Sequence, residues 1–240
     1  VSDEVWRQHA TANELLAFEH DFSSRFELQL RCRKSTANAL SDLDVLTLLL
    51  EPACRSDGAH TIARNLLLAF GSLPGVLSAA RHRLLQVEGV DQRLADILVI
   101  ARQCALRCTR SEVSNRCVIE CWTDLLTYLQ TAMGNLRREQ FRVVFLNKRN
   151  EVIVDEVLQE GTVDHTPVYP REVMRRALMH HASALILVHN HPSGDPTPSQ
   201  ADILMTHRLV EAAEVFEISI YDHIIVAEGL SVSFKGLDLI

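Results

Sequence analysis

The sequence predicts an α/β (α+β) protein, with an all-helical domain over residues 1–115 and a mixed-sheet domain over residues 116–240. Three observations carry this. Apolar residues recur at helical spacing through the first half. After residue 138 the pattern changes to short, alternating, β-branched runs interleaved with two helical stretches, the signature of strands and helices sharing one core. The halves also differ in composition. Residues 1–115 carry 13 Lys and Arg against 14 Asp and Glu, residues 116–240 carry 11 against 17, and all six cysteines precede residue 122.

The helical half reads in order. Ser41 is placed to N-cap a run in which Leu43, Leu46, Leu49 and Leu50 share a face, ended by Pro52. A second helix spans about Ala59 to Phe70 and stops at Gly71, and a third segment covers Leu73 to Ala80. Leu84, Leu85 and Val87 then lead into a turn at Gly89, followed by a helix with Leu94, Ile97, Leu98 and Ile100 on its apolar side. Helix, Gly-containing turn, helix is the pattern of a helix-hairpin-helix, whose backbone amides can hold a DNA phosphate. Here the turn is Glu88-Gly89-Val90-Asp91, with one glycine and two carboxylates. That chemistry is wrong for an anion and favours a degenerate, structural hairpin.

The polar stretch Thr109–Asn115 reads as a linker, and a helix is expected from about Val118 to Arg138 with a break near Gly134. FRVVFLN (Phe141–Asn147) and EVIVDEVLQEG (Glu151–Gly161) form a hairpin about Lys148-Arg149-Asn150. Pro170 opens a helix to about His181. ALILVHNH is a buried strand, Ser199 to about Val215 is a helix, and ISIYDHIIVAEG with LSVSF supplies two closing strands.

Composition narrows the function classes. Hydrophobic residues make up 47% and charged residues 23%, with a net charge of −7. These are globular values with no apolar run near the roughly 20 residues of a membrane span. The N-terminal VSDEVWRQHA lacks the basic and apolar regions of a secretory signal, so a cytoplasmic location is expected. Neither half has the basic balance usual in nucleic-acid binders, so the charge does not support DNA as a partner. Cys104 with Cys108 and Cys117 with Cys121 sit four residues apart, on one helical face each. They read either as a second metal site or, more simply, as small buried residues of a reduced protein.

The chemistry concentrates in His189-Asn190-His191-Pro192-Ser193-Gly194-Asp195-Pro196-Thr197-Pro198-Ser199-Gln200-Ala201-Asp202. Residues two apart on a strand point the same way, so His189 and His191 present both imidazoles to one point. Pro192 ends the strand. Ser199 as N-cap puts Asp202 in the first turn of the next helix, facing back to the strand end. Two imidazoles and one carboxylate suit zinc and leave a fourth position for water. A second carboxylate would then be needed to move the proton. The letters His-Asn-His also spell a nuclease motif, but three adjacent strand residues do not reproduce its dispersed geometry.

The spacing H-x-H-P-x6-S-x2-D resembles the JAMM motif of the JAB/MPN metalloprotease family. The longer string HNHPSGDPTPSQAD, with PREV upstream and YDHIIV downstream, is similar to the RadC branch over roughly residues 120–240. The helical half also resembles the domain that precedes it in RadC-like proteins. The resemblance implies a three-layer, cytidine-deaminase-like MPN/JAMM fold with His189, His191 and Asp202 as zinc ligands. It further implies Ser199 as an oxyanion stabiliser and Glu139, at the start of the first strand, as the catalytic base. Glu151, Glu156 and Glu160 on the next strand are the alternatives. The implied activity is zinc-dependent hydrolysis of a peptide or isopeptide bond in a protein substrate. The rival is a DNA-repair or recombination accessory protein with a structural or inactive metal site. The chain departs from the RadC pattern at Tyr169, where a His is usual. His223 is weighed as a structural histidine or a supporter of the site, His180 and His181 as helix-end residues, and His165 as a loop residue.

Overall fold

The computed structural model describes residues 40–54, 58–114, 116–118, 120–161 and 168–240. Cys32 and His165 lie outside the described residues. By internal packing the chain forms two compact units, Val1–Ile100 and Ala101–Ile240.

The first unit is helical. Helix α1 (Asp42–Leu50) starts at Ser41, whose hydroxyl accepts from the Asp44 amide while the Asp44 carboxylate accepts from the Ser41 amide. This reciprocal cap satisfies two of the helix's unpaired donors and contributes about 1 kcal/mol. Helix α2 (Ala59–Phe70) ends at Gly71, which takes φ 86°. Helix α3 (Leu73–Ser78) is capped by Ser72, and α4 (Arg81–Leu84) precedes the turn into α5 (Gln92–Val113). Leu46, Leu50, Ala63, Leu66, Val76, Leu84, Leu94 and Leu98 form one buried core.

Two expectations are corrected here. Ile100 is 60% exposed: it lies six residues beyond Leu94, which at about 100° per residue carries it well off the Leu94–Leu98 seam. Thr109 to Val113 is the last turn of α5 and not a linker. Its hydroxyls are absorbed by the helix, Thr109 donating to the Ala105 carbonyl and Ser111 to that of Cys108.

The hairpin turn is structural. Gly89 has φ 87°, and a Cβ there would come within 2.8 Å of the Ile62 side chain. Asp91 caps α5, its carboxylate accepting from the Leu94 amide and its carbonyl from that of Ala95. The helix start therefore already holds a negative group.

The second unit is a five-stranded mixed sheet in the order β2-β1-β3-β4-β5. The strands are β1 (Gln140–Leu146), β2 (Val152–Glu160), β3 (Ala184–Asn190), β4 (Ser219–Ala227) and β5 (Leu230–Ser233). Only β3 and β4 run parallel. Helix α6 (Trp122–Met133) precedes the sheet and is shorter than expected. Residues 134–139 leave the helix after Gly134 and carry the chain into β1. Helix α7 (Pro170–Met179) and helix α8 (Gln200–Glu214) lie between strands.

Strand alternation sorts the side chains into two cores. Val144, Leu146, Ile186, Val188, Ile224 and Val226 pack against Leu125, Leu129 and Met133 of α6. Phe141, Val143, Phe145, Leu185 and Leu187 pack on the other face against Val173 and Ala177 of α7 and Leu209 and Ala213 of α8. The unit is thus a helix–sheet–helix sandwich. Every residue of β3 is buried, which explains its unbroken apolar run.

Candidate metal centre

Strand β3 delivers two imidazoles to the α7/α8 side of the sheet. His189 continues the Leu185–Leu187 face and is 1% exposed. His191 follows just past the strand end, where its amide still donates to the Val226 carbonyl. Asp202 reaches them from the first turn of α8. Its carboxylate accepts from the Ser199 amide at 2.8 Å and from the Ser199 hydroxyl at 2.6 Å. The reciprocal cap expected at Ser199 is present, with the Asp202 amide donating to the Ser199 hydroxyl.

The three donor groups converge. His189 Nε2 lies 3.0 Å from His191 Nε2, His189 Nε2 3.4 Å from one Asp202 oxygen, and His191 Nε2 3.6 Å from the other. Tetrahedral ligands with bonds of about 2.0–2.1 Å sit about 3.3 Å apart. The spacing of these atoms therefore matches one small cation. Among the described residues this is the group able to hold a metal. The cysteine pairs build no such group there: Cys104 and Cys108 are exposed, and the Cys121 thiol donates to the Cys117 carbonyl. Burial pushes the Cys121 thiol up, away from the thiolate a metal needs.

The hydrogen bonds around the two imidazoles fix where their protons lie. His191 Nδ1 must donate to the Asp195 carbonyl, 2.7 Å away, which leaves its Nε2 as a lone pair. Thr206 donates its hydroxyl to the Asp202 carbonyl at 2.6 Å and so accepts from His223 Nδ1 at 2.7 Å. His223 Nε2 then accepts from His189 Nδ1 at 2.8 Å. His189 Nε2 is left as a second lone pair. Complete burial drives His223 towards its neutral form, as this chain of bonds requires. Two lone pairs facing each other at 3.0 Å repel unless something electron-poor sits between them.

Electrostatics agree. Before an ion binds, burial raises the Asp202 carboxyl, but imidazole N–H groups of His189 and His191 directed at it outweigh burial and hold it well below the usual carboxylate range; a bound ion takes the place of those protons. His191 is shifted up, first by the Asp202 hydrogen bond, with Glu139 adding a smaller contribution.

Glu139 and Ser199 line the same cleft of about 610 Å³ as His189, His191 and Asp202. Glu139 sits one residue before β1. Phe141 pairs with His189 in the antiparallel ladder, so continuing that register two residues sets Glu139 opposite His191. The other glutamates point elsewhere. Glu151 accepts from Asn147, Glu156 pairs with His180 and Arg176, and Glu160 accepts from Gln140. Tyr169 lines the cleft too, 54% exposed, with Arg171 over its ring.

Asn190 was missed by sequence reasoning. It is 1% exposed, accepts from the Gln140 amide, and donates to the carbonyls of Leu136 and Arg138. One side chain thereby pins both flanks of Glu139. A signal existed: Asn190 continues the Ala184, Ile186, Val188 series that faces the core, where an amide needs partners. His223 and Thr206 form a second buried support. His223 stacks on Phe234 at 4.4 Å, which fixes its ring.

A mixed α+β sandwich with His-x-His at a strand end and a capping Asp on the following helix defines a JAB-type domain with a metal-competent site. The family described as "RadC-like JAB domain" matches residues 119–239. The chain is also 48% identical over 204 residues to a protein named "UPF0758 protein" from Rhodobacter capsulatus, covering 85% of this chain and 95% of that one. The chain belongs to the RadC family.

Proposed function

We propose that the chain is a zinc-dependent hydrolase of peptide or isopeptide bonds, with His189, His191 and Asp202 holding the ion. The observation that carries this reading is the pair of imidazole lone pairs, 3.0 Å apart beside the Asp202 carboxylate, at the floor of a cleft shared with Glu139 and Ser199. A zinc ion there supplies a Lewis acid for a carbonyl oxygen and a water activated near neutral pH. Glu139 takes the proton of the attacking water and returns it to the leaving nitrogen. Ser199, whose hydroxyl now goes to Asp202, is the group in the cleft placed to turn towards the tetrahedral oxygen. Val168, Tyr169, Leu204 and Met205 give the cleft apolar walls suited to a protein side chain, and Arg208 adds a cation.

A screen of peptide and ubiquitin-like conjugates against the zinc-loaded chain tests this. Cleavage that falls by a factor of about 10²–10⁴ in Glu139→Gln, with zinc retained, is expected. Unchanged cleavage in that variant would remove Glu139 from the mechanism. The rival reading, a DNA-associated accessory protein, leans on the helical hairpin. There the Asp91 carboxylate occupies the helix start a phosphate would use.

A further inference from the structure

We infer that the metal cleft selects peptide substrates that carry a carboxylate, received by Arg208 about three residues from the bond that is cut. This rests on the hydrolase reading for where that bond lies. The carboxylate contact itself follows from the lining of the cleft.

Helix periodicity lays out the site. Ala201, Leu204, Met205 and Arg208 stand at i, i+3, i+4 and i+7 on α8, so they share one face, and all four line the cleft. Asp202 lies at the metal end of this helix. Arg208 comes later on α8, about 9 Å further along the axis at about 1.5 Å per residue. An extended peptide covers that span in about three residues.

The charged groups of the cleft divide by task. His189, His191 and Asp202 converge on the metal position, and Glu139 is the group for the proton. Arg208 has no part in either. It is the one Lys or Arg among the described residues lining the cleft, it is exposed, and no hydrogen bond or ion pair ties it to another described residue. Arg171, by contrast, is drawn to Glu172 at 3.8 Å and lies over the Tyr169 ring. With a divalent ion bound, Asp202 and Glu139 cancel its charge, and Arg208 leaves the cleft net positive.

Between the metal position and Arg208 the walls are apolar. Leu204 of α8 is 57% exposed, and Tyr169, the residue before α7, is also open to solvent. Val168 and Met205 line the cleft with them. Large apolar side chains left open in a cleft that holds a few convergent polar groups are the ordinary lining of a ligand site. The matching substrate is an extended segment with a large apolar side chain beside the bond cut and a carboxylate beyond it. A single guanidinium suits a carboxylate, with two oxygens and one charge, through paired hydrogen bonds. A phosphoryl group, with close to two charges, would call for a second cation. The carboxylate belongs either to an Asp or Glu side chain or to the C-terminus of the peptide.

The test uses the zinc-loaded full chain and short fluorescent peptides with one Leu in a Gly-Ser background. Glu, Gln or Lys is moved one position at a time on both sides of the Leu, with C-termini free or amidated. Cleavage is followed in the parent, and binding in Glu139→Gln. At one spacing, Glu should be preferred over Gln by about tenfold in both readouts. Arg208→Glu, alone or with Glu139→Gln, should invert the order so that Lys is preferred, a gain that a misfolded variant cannot imitate. Arg208→Gln should erase the preference, and as a milder change at an exposed position it keeps the test valid if the reversal fails to fold. A preference that persists with amidated termini assigns the carboxylate to the side chain; one that follows the free terminus assigns it to the chain end. Cleavage with no preference for either carboxylate, or the same preference in Arg208→Glu, would overturn the inference and leave the hydrolase reading standing. Binding that inverts in Arg208→Glu, with no peptide cut by the parent, would uphold the carboxylate contact and overturn the hydrolase reading alone. Neither binding nor cleavage at millimolar peptide would overturn both.

Discussion

At the scale of single residues, each side chain at the centre has one tautomer or rotamer imposed by a neighbour. His223 fixes the proton on His189, Thr206 fixes it on His223, and the Asp195 carbonyl fixes it on His191. Groups that orient metal-ligating histidines typically govern metal affinity by 10–100-fold. His223→Ala should therefore weaken zinc binding by roughly that factor, measured by competition with a chromophoric chelator. Equal affinity in variant and parent would show that the buried relay is only packing. The pair His189 and His191 and the cap Ser199–Asp202 were legible in the sequence because strand and helix periods fix where such residues point. Asn190 was not, because its partners are backbone groups of residues 136–140, which meet β3 only once the sheet has formed.

At the scale of elements, the site depends on two junctions: the end of β3 with the start of α8, and the lead into β1. The first is rigid through Pro192, Pro196 and Pro198 and the reciprocal cap. The second is held by Asn190. Asn190→Ala should lower turnover with zinc content intact, since it frees the segment bearing Glu139 while leaving both imidazoles on β3. Loss of zinc together with turnover would mean that the strand end itself had come apart. In the helical unit, Gly89→Ala should destabilise by more than about 1 kcal/mol, because the position has positive φ and its Cβ would meet Ile62. A denaturant midpoint equal to that of the parent would contradict this. Helix and strand identities followed from periodicity. The boundaries that moved, at Thr109–Val113 and Gly134, are places where serine and threonine hydroxyls or a glycine leave the local preference undecided and packing settles it.

At the scale of the whole molecule, the α+β unit is a sandwich whose metal-competent cluster lies at one end of its most buried strand, tying β3 to α8. An ion bound only by the folded state should raise the melting temperature, with a gain near 4 kcal/mol when free zinc stands about a thousandfold above Kd. Removing it with a chelator should reverse the shift in the parent and leave His189→Ala unmoved. No helix among the described residues is long and apolar enough to cross a membrane. The mixed-sheet fold and the RadC family were readable from the chain, while the walls of the metal cleft were not. Their parts, just before α7 and on α8, are separated by up to 40 residues and join only through the tertiary fold.

The most direct test of the central claim is the zinc content of the purified chain after reloading and desalting, set beside that of His189→Ala. One zinc per chain in the parent and almost none in a folded His189→Ala is the predicted result. Equal zinc in both, or none retained by the parent, would contradict the assignment of His189, His191 and Asp202 as the metal centre.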